Sequence, residues 1–164
     1  MLRRVSLVAI TAIVVIALDV LAKWWAVTAL QMGETQPFLP GLLQLTLTKN
    51  TGVAFGLGRA LPSFVPALVS IAVVSVLGYV VFRRESKGEH LSLLEQLGFG
   101  MIIGGALGNI GDRLLHGMVT DFLEFSFIQF PVFNVADALI DVGIGLLIIG
   151  SLLIPARTQA DVNE

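Results

Sequence analysis

The chain has 164 residues, 55% hydrophobic and only 13% charged, with a mean hydropathy of +0.89 and a formal net charge of −2. A soluble domain of this length cannot hide so much apolar surface, so the composition describes one integral membrane domain. The absence of cysteine excludes disulfides and thiol nucleophiles, and two separated histidines, His90 and His116, are too few for a histidine zinc site. No basic face interleaved with aromatics points to nucleic acid.

The basic start Met1-Leu-Arg3-Arg4 leads into an apolar run over residues 5–30. A cleaved signal peptide opens in the same way, but its apolar core is shorter and carries no Asp19 or Lys23, so an uncleaved first span is expected. Asp19 and Lys23 stand one helical turn apart in acid-before-base order, the pattern of an ion pair facing the bundle interior. An outer loop, 31–61, follows. Within it residues 43–48 alternate apolar and polar, which predicts a strand with one greasy face. Lys49-Asn50-Thr51-Gly52 then supplies turn chemistry, and a small sheet on the membrane surface is expected.

The second span covers 62–82, and a charged loop with Arg83, Arg84, Lys87 and His90 leads to a third over 91–115. Gly100, Gly104 and Gly108 form a small-residue stripe on that third span, a packing signal rather than chemistry. A fourth span runs over 134–154, and the polar tail 156–164 is expected to be disordered. Arg3, Arg4, Arg83, Arg84, Lys87 and Arg157 all fall on one side of this four-span topology, so positive-inside bias puts both termini in the cytoplasm.

Between the last two spans lie Asp121 and Asp137, one where an apolar segment ends and one where the next begins. A loop returning to the same face brings the two carboxyls together. Facing aspartates cannot both ionise cheaply and share one proton, the apparatus of an aspartic protease. The spacing leaves a pair of structural helix-end polar groups equally open. Asn109, Asp112 and Arg113 share one face of the third helix, and Asn134, Asp137 and Asp141 one face of the fourth. Asn134 is placed to cap the fourth helix. Arg113 is placed to hold a substrate carbonyl, to balance Asp112 or to take a backbone partner. Glu124 reads as a solvated surface acid and His116 as an interfacial loop residue. Asp112, Asp121, Asp137 and Asp141 are not dense enough to suggest a metal centre, and none is expected.

Five motifs in register carry a resemblance over nearly the whole chain: Asp19-x-x-x-Lys23; Asn50-Thr51-Gly52-Val53-Ala54-Phe55-Gly56; Gly104-Gly105-Ala106-Leu107-Gly108-Asn109-Ile110-Gly111-Asp112-Arg113; Val119-Thr120-Asp121-Phe122; and Phe130-Pro131-Val132-Phe133-Asn134-Val135-Ala136-Asp137. With these the chain resembles the lipoprotein signal peptidase (signal peptidase II) family of bacterial inner-membrane aspartyl peptidases. The resemblance implies an all-α membrane protein of four transmembrane helices, with a small extracytoplasmic sheet and a short helix at the membrane surface. It implies that Asp121 and Asp137 are the catalytic dyad, that Asn50, Asn109, Arg113 and Asn134 position the substrate, and that Asp19, Lys23 and Asp112 support the site. It further implies a diacylglyceryl-modified prolipoprotein substrate, cut just before its lipid-bearing cysteine, contact with membrane lipid, no cofactor, a monomeric state and sensitivity to globomycin-type inhibitors.

One departure stands out. The family usually carries Ser or Thr after the second aspartate, where this chain has Ala138, and Asp141 lies where a neutral residue is expected. Lys23 is a candidate to neutralise it. Two other functions fit intramembrane polar groups: an ion-conducting subunit, and an assembly subunit that docks through the glycine stripe. The first calls for acidic groups at mid-membrane on several helices, whereas most here gather toward one end.

Overall fold

The architecture follows from one helix that the other three lean on. In the computed structural model, which describes residues 2–52 and 64–153, the order is α1 (Leu2–Ala29), β1 (Thr35–Leu39), β2 (Leu43–Asn50), α2 (Phe64–Ser86), α3 (Leu93–His116), β3 (Val119–Phe125) and α4 (Val135–Leu153). All four helices are long and apolar enough to cross a membrane. They differ in how they are covered: 61% of the apolar window of α3 is buried, against 17–28% for the others. Helix α3 is therefore the axis, and it packs against α1, α2 and α4. The other helices turn residues such as Ile13, Leu21, Tyr79 and Leu152 outward, as lipid-facing helices do.

Lipid tails are as apolar as leucine, so close helix contact must come from shape. The glycine stripe supplies it. A Cβ at Gly100 would lie 2.5 Å from Thr11 Cβ, one at Gly104 2.6 Å from the Ala12 carbonyl oxygen, and one at Gly108 2.6 Å from the Asp19 carboxylate. Three consecutive turns of α3 thus seat α1 and end on Asp19. On the opposite side Gly98 and Gly143 face each other across α3 and α4, and Gly105 meets the Ala136 carbonyl. The ends of α3 are fixed chemically. Ser92 and Glu95 form a reciprocal capping box at its start, and Gly117 ends it at φ 72°, donating to the Arg113 carbonyl.

Outside the bundle β1, β2 and β3 form an antiparallel sheet in that order. The alternating stretch 43–48 falls within β2, as its pattern predicts, and its Leu45 and Leu47 are buried against Ala26, Leu30 and Phe122. The third strand, β3, occupies what reads in the sequence as a loop. Its β-branched and aromatic run Val119-Thr-Asp-Phe-Leu-Glu-Phe pairs with β2 on one side, while Phe133 bridges Leu123 on the other. Glu124 consequently is no solvated acid: it is partly buried and accepts a 2.6 Å hydrogen bond from Thr46. The rest of the outer loop, 53–63, where a short surface helix would fall, and the tail 156–164 lie outside the described residues.

Replacing Gly104 by Val drives two methyl groups into the backbone of α1, and overpacking of this kind costs about 1–3 kcal/mol. Gly104→Val is expected to lower the thermal midpoint in detergent. Gly145→Ala, where nothing lies within 4 Å, should leave it unchanged or slightly raised.

Candidate active site

The site is assembled at the end of the bundle where α3 stops and α4 starts. Asn134 caps α4: its Oδ1 accepts from the Asp137 amide at 3.0 Å, while the Asn134 amide donates back to Asp137 Oδ2 at 3.2 Å. This is a capping box, so Asp137 is oriented by the geometry of the helix start itself. Asp121 arrives on β3. Main-chain bonds from Phe122 N and Leu123 N to the Phe133 carbonyl staple that strand to the residues just before α4. Asp121 and Asn134 are thereby brought side by side, with Asn134 Nδ2 donating to Asp121 Oδ1 at 2.7 Å.

From β2, Asn50 sits diagonally across from Asp121, since Asn50 pairs with Val119 in the ladder. Its Nδ2 donates to Asp121 Oδ2 at 2.9 Å. From α3, Asn109 Nδ2 donates to Asp137 Oδ1 at 2.8 Å and Asn109 Oδ1 accepts from Asn134 Nδ2 at 3.1 Å. The chain of contacts therefore runs Asn50, Asp121, Asn134, Asn109, Asp137. The three asparagines hold two carboxylates without neutralising them.

Beneath this chain lies a charge. Lys23 Nζ donates to Asn109 Oδ1 at 2.9 Å, is ion-paired with Asp19 at 2.7 Å, and lies 3.3 Å from Asp112. Asp19 is wholly buried and also accepts from the Ala136 amide at 3.1 Å. Asp112 accepts from the Thr120 amide at 3.0 Å, and exposed His116 approaches its other oxygen at 3.6 Å. The interior Asp19–Lys23 pair that the one-turn spacing predicts is thus present, and it reaches into the site. Arg113 takes backbone partners, the carbonyls of Asn109 at 3.3 Å and Gly52 at 2.9 Å, rather than an ion pair with Asp112. Its Nε is buried and has no hydrogen-bond partner among the described residues.

Asp121 and Asp137 line one cavity of about 500 Å³, together with Asn50, Asn109, Arg113 and Asp141. Its apolar lining comes from Phe125, Phe130 and Phe133, whose rings pack 5.1–6.0 Å apart, and from Ala106 and Ile140. Burial pushes the Asp121 carboxyl up to about 6; the charge of Asp137 pushes the same way, while the amides of Asn50 and Asn134 oppose it. Asp141 lines the cavity but does not meet Lys23, whose ion pairs are with Asp19 and Asp112.

Sequence reasoning missed Ser70 of α2, which lines the cavity, and Lys49, which donates to Thr120 at 2.8 Å and ties β2 to β3 beside the site. Only the β-branched and aromatic run of 119–125 carried a local signal for the latter contact. Among the described residues no group of three or more His, Asp or Glu is arranged to hold a metal ion.

With this geometry in hand, comparison with known proteins places the chain among relatives. The family model described as signal peptidase (SPase) II matches residues 11–153. The lipoprotein signal peptidase of Gloeobacter violaceus is 46% identical over 154 residues, spanning 92% of this chain and 84% of that one. That of Shouchella clausii is 38% identical over 92% of this chain and 95% of its own length. Among solved structures, a bacterial membrane enzyme superposes with a TM-score of 0.76 at 27% identity, covering 93% of this chain and 94% of the other.

Removing the lysine while keeping its bulk, Lys23→Met, leaves buried Asp19 and half-buried Asp112 without their counter-charge. Breaking a buried pair in this way costs about 3–5 kcal/mol. The expected result is a large loss of thermal stability in detergent, partly restored by Asp19→Asn in the same chain.

Proposed function

Because the chain belongs to the signal peptidase II family, we propose that it removes the signal peptide from diacylglyceryl-modified prolipoproteins, cutting just before the lipid-bearing cysteine through an Asp121–Asp137 dyad. The observation that carries this reading is the pair of carboxylates, one from β3 and one from α4, facing a single cavity and bridged by asparagine amides.

In the proposed reaction one water sits between the two carboxylates. Asp137, held at the start of α4, takes a proton from it as the oxygen attacks the scissile carbonyl. Asp121, whose carboxyl holds its proton up to about pH 6, gives that proton to the carbonyl oxygen. Collapse of the tetrahedral intermediate returns a proton to the leaving amine, so no covalent enzyme intermediate is formed. The unpartnered Nε of Arg113 supports a role in steadying the developing oxyanion, since a buried donor seeks an acceptor. The aromatic wall fits an acyl-bearing substrate. Arg83 and Arg84 lie at the opposite end of the bundle from the dyad, which by positive-inside bias supports an outward-facing site with both termini in the cytoplasm. Such a site serves a substrate whose lipid stays in the bilayer while its scissile bond meets water.

Asp121→Asn and Asp137→Asn, tested separately on a diacylated precursor peptide, should each lower turnover by at least about 10²-fold with the fold retained. Substantial cleavage by either variant would remove the dyad. If Asp121 is the acid, kcat/KM falls as pH rises through about 6. The Asn50 amide favours the charged form of Asp121, so Asn50→Ala should move that limb to higher pH. A limb that stays put or moves down would reassign the proton.

A further inference from the structure

Three carboxylates line the cavity, and the dyad uses two. Asp121 and Asp137 each receive N–H donors on both oxygens. Asp141 does not. It stands one turn farther along α4 on the face of Asp137, is exposed, and among the described residues has no hydrogen-bond or ion-pair partner. The nearby cations are committed elsewhere: Lys23 to Asp19 and Asp112, Arg113 to the carbonyls of Asn109 and Gly52. The cavity wall beside the dyad therefore holds a carboxylate that meets no cation among the described residues, within a segment long and apolar enough to span a membrane. A carboxylate so placed is costly, and a cation delivered to the cavity is what relieves it.

The reaction itself makes one. Hydrolysis adds water across the peptide bond, the hydroxyl going to the carbonyl carbon and the hydrogen to the nitrogen. The new carboxylic acid then releases a proton and the new amine takes one up. A neutral amide on the precursor becomes an ammonium group on the lipid-modified cysteine of the product. Resting on the peptidase reading above, we propose that Asp141 is a product-binding residue that receives this α-ammonium group. The two new termini must separate before either product leaves. One helical turn, roughly 5.4 Å along the axis, is a displacement of that order. Asp141 thus binds the product that carries the lipid and draws its amine away from the new carboxylate, while making no charged contact with the uncleaved amide.

The test uses the purified full chain, a diacylated precursor peptide as substrate, and two inhibitors. One is a peptide beginning with diacylglyceryl-cysteine with a free α-amine; the other is its N-acetyl twin. The wild-type protein should be inhibited more strongly by the free amine, on the order of tenfold, the scale of one charge-assisted contact. In Asp141→Asn, isosteric and exposed, that preference should fall to about twofold or less, through weaker binding of the free amine alone. Asp141→Glu should keep it. Equal inhibition by the two peptides in the wild type, or an undiminished preference in Asp141→Asn, overturns the assignment while leaving the peptidase reading standing. So does an effect of Asp141→Asn confined to the KM of precursors bearing a lysine before the cleavage site, which would make the cation the substrate's own. No cleavage by the wild-type protein would overturn both.

Discussion

One buried ammonium group holds the site in register. Lys23 Nζ touches Asp19, Asp112 and Asn109, and through these it reaches both α4 and β3. Asp19 accepts from the Ala136 amide in the first turn of α4, Asp112 from the Thr120 amide in β3, and Asn109 donates to Asp137. A charge at membrane depth tolerates little freedom in its partners, because each lost contact leaves an uncompensated ion. The cost of burying Lys23 is therefore also the source of geometric definition. The start of α4, the start of β3 and one carboxylate of the dyad are all fixed relative to α1.

This arrangement needs the helices to come closer than side chains ordinarily allow. The stripe of Gly100, Gly104 and Gly108 puts α1 against the backbone of α3, and the last of the three leaves room for the Asp19 carboxylate itself. A methyl group at 108 would lie 2.6 Å from Asp19 Oδ2 and push the carboxylate away. Packing and electrostatics are thus one constraint read at two levels. The glycines set the distance between axes, and that distance lets the ion pair of α1 reach Asn109. Since lipid gives no hydrophobic push between helices, shape and buried polar contact must supply the association together.

What the sequence made legible follows the range of the interactions. Four apolar runs, the Asp19–Lys23 spacing, the cap at Asn134 and the alternation of 43–48 are local patterns, and the structure has four membrane-length helices, a 2.7 Å pair, a capping box and β2 there. Long-range pairing was not legible. Nothing near Val119–Phe125 says that it adds to β2 and is stapled by Phe133, because the register is set by residues 71 positions away in the case of Asn50 and Asp121. The same holds for Glu124, which reads as a surface acid until the strand carries it beneath Thr46. Asp141 was visible as an anomaly, but only the cavity shows that it faces the dyad's space and that Lys23 is spoken for.

The two aspartates come from elements of different kinds, and that difference has chemical consequences. Asp137 is held at the start of a helix, and its two oxygens take one main-chain and one side-chain donor. Asp121 is held by a strand, takes two side-chain amides, and is pushed up to about 6 chiefly by burial. On the proposed reading the asymmetry of roles is inherited from the asymmetry of secondary structure: a helix start for the base, a covered strand for the acid. Asn134 joins them, capping the helix through its oxygen and bonding Asp121 through its nitrogen. Its amide has one orientation that satisfies both, so the side chain that shapes the helix start also fixes the carboxylate of Asp121.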